Sequence, residues 1–101
     1  RDFWVSDVSY AEMFLARLAA MEGEVENALA RLERAITAYE GRDVFCLSRL
    51  QLERARLLVD RDPGEAWRLA GAVRTRAKEM GARPLVAKAD AILDRVPTPG
   101  V

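Results

Sequence analysis

Glycine and proline break this 101-residue chain at intervals of about twenty residues, and this spacing constrains its fold more than any other feature. The breaks fall at Gly23, Gly41, Pro63-Gly64, Gly81 and Pro97. Between them the chain is rich in alanine and leucine, a composition typical of helices. Because the connections are only about two to four residues long, consecutive helices must be antiparallel neighbours. The sequence therefore predicts an all-α chain of antiparallel helical hairpins.

The breaks predict five helices and a short tail. We expect helices at residues 3–22, 24–40, 44–61, 63–81 and 84–95, with the tail at 97–101. The fourth helix has the clearest start, with Asp62 at the N-cap, Pro63 at the first helical position and Glu65 completing a capping box. Either Asp2 or Ser9 can cap the first helix, and that choice stays open.

The first helix is apolar on nearly all sides. One stripe at helical spacing, expected to cover the second helix, consists of Trp4, Val8, Ala11, Leu15 and Leu18. The other large apolar residues are Phe3, Tyr10, Met13, Phe14 and Met21. A helix at the end of a stack should have a polar outer face, as the fifth helix does. The first helix is thus expected to keep an apolar face for an earlier repeat, a second copy or a peptide.

Composition excludes most catalytic and metal chemistry. The 16 basic and 16 acidic residues balance, so no overall field attracts nucleic acid or an anionic membrane. Histidine is absent and Cys46 is the only cysteine, which leaves no intrachain disulfide and no zinc site. A carboxylate cluster around Asp62 is explained by the helix cap. We expect no enzyme, no cofactor and no metal, and a single thiol buried in a cytoplasmic protein.

The sequence also repeats internally. Residues 26–32 align with residues 64–70 at a period of 38, and residues 15–19 align with residues 54–58 at a period of 39. One helical hairpin with its turn takes about this length. The repeating residues resemble those of the tetratricopeptide repeat family, which places small residues where the two helices of a hairpin cross.

The resemblance to the tetratricopeptide repeat rests on particular positions. In the first repeat, Leu15-Ala16 matches the Leu-Gly pair of the first helix and Gly23 matches the turn, while Ala19 stands where an aromatic residue is usual. The second helix matches at Ala28, Leu29, Leu32, Ala35 and Ile36. The second repeat matches at Ala55, Leu58, Ala66 and Trp67 and departs at Ala70 and Arg74. The resemblance implies one domain over residues 1–96, with repeats at about 3–41 and 43–81 and a capping helix at about 84–96.

The last part of the chain carries a narrower resemblance. Residues 74–89 resemble the final repeat of large bacterial signalling proteins, such as maltose-regulator-like transcriptional activators and nucleotide cyclases with C-terminal repeats. An excess of arginine over lysine suits a GC-rich bacterial genome. We therefore expect part of a larger bacterial protein of transcription regulation or signalling.

In the tetratricopeptide family, the first helices of the hairpins line a concave face, which implies a partner-binding face here. Its expected residues are Tyr10, Met13, Phe14, Arg17, Met21, Arg49, Leu52 and Arg56. Three arginines over an apolar floor could hold an acidic or C-terminal peptide carboxylate. Alternatively, each arginine is solvated or pairs with a glutamate such as Glu53, four residues after Arg49.

The expected function is that of a non-catalytic protein–protein interaction module. Its partner would be a protein, a peptide or preceding repeats of the same polypeptide. A stand-alone homodimeric scaffold is the alternative. A nucleic-acid-binding adaptor is a third reading, suggested by the basic residues of the fourth helix but opposed by the zero net charge.

Overall fold

The computed structural model describes residues 2–96, with side chains from Val8 onward. The tail at 97–101 with its Pro97 break, and the side chains of Phe3 and Trp4, lie outside the described residues. Five helices fill the described range: α1 (Asp2–Met21), α2 (Val25–Tyr39), α3 (Val44–Leu58), α4 (Pro63–Met80) and α5 (Arg83–Arg95). Across that range no helix has both the length and the apolar character needed to cross a membrane.

The helices stack as antiparallel hairpins in two layers. Each helix packs on the next one along the chain, and α1, α3 and α5 also contact one another in order. Over the described residues, the backbones of α2 and α4 do not approach each other. The first, third and fifth helices therefore form one layer and the second and fourth form the other. This arrangement of two hairpins and a fifth helix confirms the predicted all-α, repeat-like fold.

The predicted glycine breaks at positions 23, 41 and 81 follow the ends of helices, and the Pro63-Gly64 break lies at the start of α4. Gly23, Gly41 and Gly81 have φ angles of 85°, 74° and 70°, which residues with a side chain rarely adopt. The third helix is shorter than predicted, because α3 ends at Leu58 rather than near residue 61. Both the Arg61 and the Asp62 amides donate to the Leu58 carbonyl, at 3.0 and 2.7 Å. The chain thus turns early to start α4.

Small residues hold the most buried positions of α1, and the predicted inward stripe is wrong at three of its five positions. Its Val8 does pack against the buried cluster shared with α2, as predicted. Ser9 and Ala16 have no exposed surface, whereas Leu15 and Leu18 are 44% and 46% exposed and Ala11 is also exposed. Small side chains let α2 and α3 approach α1 closely, and the larger leucines of α1 are turned outward as a result. Because Ser9 lies inside the helix, it does not cap it.

Within the described residues, the buried apolar side chains form two clusters that meet at α3. One cluster joins α1, α2 and the start of α3 and comprises Ala16, Ala28, Leu32, Ala35, Tyr39, Cys46 and Leu50. The other joins the end of α3 to α4 and α5, with Leu69, Val73 and Ile92 among its members. Cys46 is fully buried, as predicted. The third helix is therefore the element that both halves of the stack share.

Aspartate side chains cap the N-termini of α3 and α4. The Asp43 carboxylate accepts from the Phe45 and Cys46 amides at 2.9 and 3.1 Å. The Asp62 carboxylate accepts from the Glu65 amide at 3.2 Å, as predicted. The reciprocal half of the predicted capping box does not form, because the Asp62 amide donates to a carbonyl of α3 and the Glu65 carboxylate binds arginines.

Replacing the α4 cap is expected to have a modest, local effect. Asp62→Ala removes the acceptor for the Glu65 amide, and we expect the free energy of unfolding to fall by about 1 kcal/mol. Urea denaturation measures this loss. Asp60→Ala, at an exposed position outside the cap, is the matched control and should change stability by less than about 0.5 kcal/mol. Equal losses in both variants would contradict the capping role.

Candidate partner-binding groove

A groove runs across the layer formed by α1, α3 and α5. Its volume is about 300 Å³. The lining residues are Tyr10, Met13, Arg17, Arg49, Leu52, Glu53, Arg56, Lys88, Ala91, Ile92 and Arg95. We refer to it as the α1–α3–α5 groove. A hollow of this size accommodates a few side chains of a bound segment.

The groove brings together most of the residues expected on the concave face. Six of the eight line it: Tyr10, Met13, Arg17, Arg49, Leu52 and Arg56. The other two lie outside it, since Phe14 is 65% exposed on the outer side of α1 and Met21 is 83% exposed at its end. Met21 lines an adjoining shallow hollow with Ala20 and Leu57, and Arg17 and Arg56 lie between this hollow and the groove.

Glu53 lies in the wall of the groove between two arginines. Arg17 donates to its Oε1 atom from Nε at 3.0 Å and from Nη2 at 2.9 Å. Arg56 donates to its Oε2 atom from Nε at 3.1 Å and also from Nη2. The Glu53 side chain is only 4% exposed, while both arginines are close to half exposed. The two arginines thus compensate a buried carboxylate.

The balance of burial and hydrogen bonding keeps this carboxylate charged. Burial acts to raise the pKa of Glu53, but the hydrogen bonds and positive charges of Arg17 and Arg56 outweigh it and hold the pKa below its ordinary value. The hydrogen bond to Glu53 likewise raises the pKa of Arg17. Arg17 and Arg56 therefore stabilise the fold by binding Glu53, in addition to lining the groove.

Arg49 is held differently, and the pairing with Glu53 four residues later does not form. Its guanidinium carbon lies 4.5 Å from the centre of the Tyr10 ring, a cation–π arrangement. Its Nη2 atom donates to the Cys46 sulfur at 3.3 Å. Its Nε atom is buried and has no hydrogen-bond acceptor within the described part of the chain. Arg49 therefore lines the groove without a carboxylate partner among the described side chains.

The third wall of the groove comes from α5, and its residues were not predicted from the sequence as part of the binding face. Lys88 and Arg95 line it with Ala91 and Ile92. The available signal was their spacing of three and four residues, which places all four on one helix face. Neither Lys88 nor Arg95 has an ion pair among the described side chains. Both cations are thus available to a ligand.

The groove combines an apolar floor with excess positive charge. Its lining holds five cationic side chains and one carboxylate, a formal net charge of +4 in a chain whose total is zero. Carboxylates are the protein groups that such cations bind best. The structure offers no cluster of three or more histidine, cysteine, aspartate or glutamate side chains suited to a metal ion, as far as the described residues extend.

Comparison of the chain with protein-family models, with curated proteins and with solved structures finds no match.

Proposed function

We propose that the chain is a non-catalytic protein–protein interaction module whose α1–α3–α5 groove binds an acidic segment of a partner protein. The observation that carries the proposal is the concentration of positive charge in this groove. An apolar floor with Met13, Leu52 and Ile92 adds contact area for the side chains between the acidic groups. Arg49, Lys88 and Arg95 are the proposed carboxylate-binding residues.

We also propose that this module belongs to a larger bacterial regulatory or signalling protein with tetratricopeptide-like repeats. The support is the hairpin stack together with the resemblance of residues 74–89 to the final repeat of such proteins. An antibody against the chain, used on source-cell lysate, should detect a polypeptide several times larger than 11.3 kDa. A band close to that mass would contradict this part of the proposal.

Groove binding can be tested with an acidic peptide and variants that leave the fold intact. The probe is a fluorescein-labelled peptide of alternating glutamate and leucine with a free carboxyl terminus, and the readout is fluorescence anisotropy. We expect Lys88→Ala/Arg95→Ala to weaken binding on the order of tenfold, because two exposed cation contacts are lost. The melting temperature should stay close to that of the unmodified chain.

The matched control removes two cations from the opposite end of the α4–α5 hairpin. Lys78 and Arg83 are exposed and lie outside the groove, so Lys78→Ala/Arg83→Ala should leave the affinity unchanged. Equal losses in both double variants would mean that only overall charge matters. Equally tight binding of a lysine–leucine peptide or of duplex DNA would also contradict the proposal.

A further inference from the structure

α1 and α3 hold equivalent places in the two hairpins, 39 residues apart. Ser9 in α1 corresponds to Ser48 in α3, and neither has any exposed surface. Ala16 corresponds to Ala55, and both are also fully buried. The offset of 39 residues that aligns the two sequences therefore also aligns the buried faces of the two helices. The contacts of a residue in α3 accordingly indicate which kind of contact suits its counterpart in α1.

One face of α3 packs on the preceding hairpin. Leu50 is buried in the cluster formed with α1 and α2, and Leu57 packs against that cluster. Glu53 is bound by an arginine of α1, and Arg54 donates to a carboxylate of α2 at 3.4 Å. These four positions define the surface by which one hairpin receives the hairpin before it.

The four counterparts in α1 are Ala11, Phe14, Leu15 and Leu18, and all of them are exposed. Together with the neighbouring Met21 they form what we call the outer face of α1. Phe14 is 65% exposed and Met21 is 83% exposed. The outer face of α1 thus occupies the positions by which α3 packs on its preceding hairpin. No element of the described chain covers this face of α1.

The chemistry of the outer face restricts what can cover it. Phe14 and Leu15 stand where α3 has Glu53 and Arg54, so the occupant must be apolar opposite them. Head-to-tail stacking of copies does not meet this need, because α5, which closes the other end of the stack, has charged residues outside the groove, such as Arg83 and Asp94, on its exposed surface. Burying such charges against leucine and phenylalanine without a partner is costly.

The surface of this chain that does fit the outer face is the outer face itself. Away from α1, the large apolar side chains exposed in the described range are Phe45 and Trp67, single residues on different helices. The four large side chains of the outer face expose on the order of 400 Å², about half of what one partner contributes to a standard interface.

We propose that the outer face of α1 is a homodimer interface, in which it packs on the same face of a second copy. A two-fold axis brings identical patches together, so the apolar side chains of this face are complementary to those of a second copy. Phe14 lies outside the α1–α3–α5 groove, so this inference does not depend on peptide binding there. A preceding hairpin of a larger protein would cover the same face and is the alternative occupant, which a chain that stays monomeric would favour.

Sedimentation equilibrium of the whole chain, from low to high micromolar concentration, tests the interface. We expect the unmodified chain to approach twice its 11.3 kDa mass and Phe14→Glu to weaken dimerisation by at least about 100-fold, because two carboxylates would enter an apolar contact. Since Phe14 is 65% exposed in one copy, the variant should retain its circular dichroism spectrum. A chain that stays monomeric throughout this range would overturn the proposal.

Two further variants locate the interface. Leu18→Glu, on the same face, should also give a monomer, whereas Phe45→Glu places the same charge on an exposed residue of α3 and should leave the dimer intact. A dimer that survives both α1 substitutions, or that is lost equally in the Phe45 variant, would overturn the assignment to α1. If Phe14→Glu unfolds the chain, the Leu18 variant still decides the question.

Discussion

Removing both arginines that hold Glu53 should destabilise the chain more than any other change at the groove. The Glu53 carboxylate is 4% exposed in the unmodified chain, and in Arg17→Ala/Arg56→Ala it loses all four of its hydrogen bonds. Stranding a buried charge in this way costs about 3–5 kcal/mol, a large part of the stability of a domain of this size. Each single variant should lose less, because one arginine remains. Thermal and urea denaturation measure these losses.

The pH dependence of this loss identifies its origin. In the unmodified chain the pKa of Glu53 lies below its ordinary value, so the ion pairs stabilise the fold above about pH 4.3 and this contribution is lost as the pH falls through the folded-state pKa. In the double variant burial acts alone and raises that pKa, so the ionised carboxylate opposes folding. The difference in unfolding free energy should therefore grow from pH 4 to pH 7.

A third substitution distinguishes the cost of leaving the Glu53 charge unpaired from the cost of losing the packing of the arginine side chains. Adding Glu53→Met to the double variant replaces the carboxylate with an apolar side chain of similar size, and we expect most of the lost stability to return. A double variant that loses less than about 1 kcal/mol, or a triple variant no more stable than the double one, would contradict the role assigned to the two arginines.

The same geometry explains why the groove was only partly predictable. The spacing of glycine and proline marked every helix junction in the described range, because positive φ angles and helix caps are local properties. The pairing of Arg17 with Glu53 joins residues 36 positions apart and leaves no local signal. Arg49 and Glu53 have a spacing that suits an ion pair. In the folded chain, however, the Glu53 carboxylate binds Arg17 of α1 and Arg56 of α3 instead.

The orientation of α1 was mispredicted for a related reason. Hydrophobic periodicity assigns the largest apolar residues to the interior, and Leu15 and Leu18 satisfy that pattern. Closely crossing helices instead require small side chains where they meet, and Ser9 and Ala16 fill that role here. The prediction that α1 keeps an open apolar face is confirmed within the described residues, with Phe14 and Met21 on it as expected, although Leu15 and Leu18 also lie there instead of facing α2.

The division of the core into two clusters predicts that the halves of the stack can lose structure separately. Leu32 of α2 is fully buried in the cluster with α1, and Leu69 of α4 is 6% exposed in the cluster with α5. Either leucine replaced by alanine should cost about 2–5 kcal/mol. Because stacked hairpins contact only their neighbours, that cost should fall mainly on the hairpin that loses the side chain.

Amide hydrogen exchange distinguishes separate from joint unfolding. Leu32→Ala should lower protection in α1 and α2 while α4 and α5 keep most of theirs, and Leu69→Ala should give the opposite pattern. The third helix contributes to both clusters and should lose protection in both variants. If either substitution lowers protection equally in all five helices, the two clusters unfold as one cooperative core, which would contradict the prediction. The contacts across α3 would then couple the two hairpins more strongly than the contacts within each hairpin hold it together.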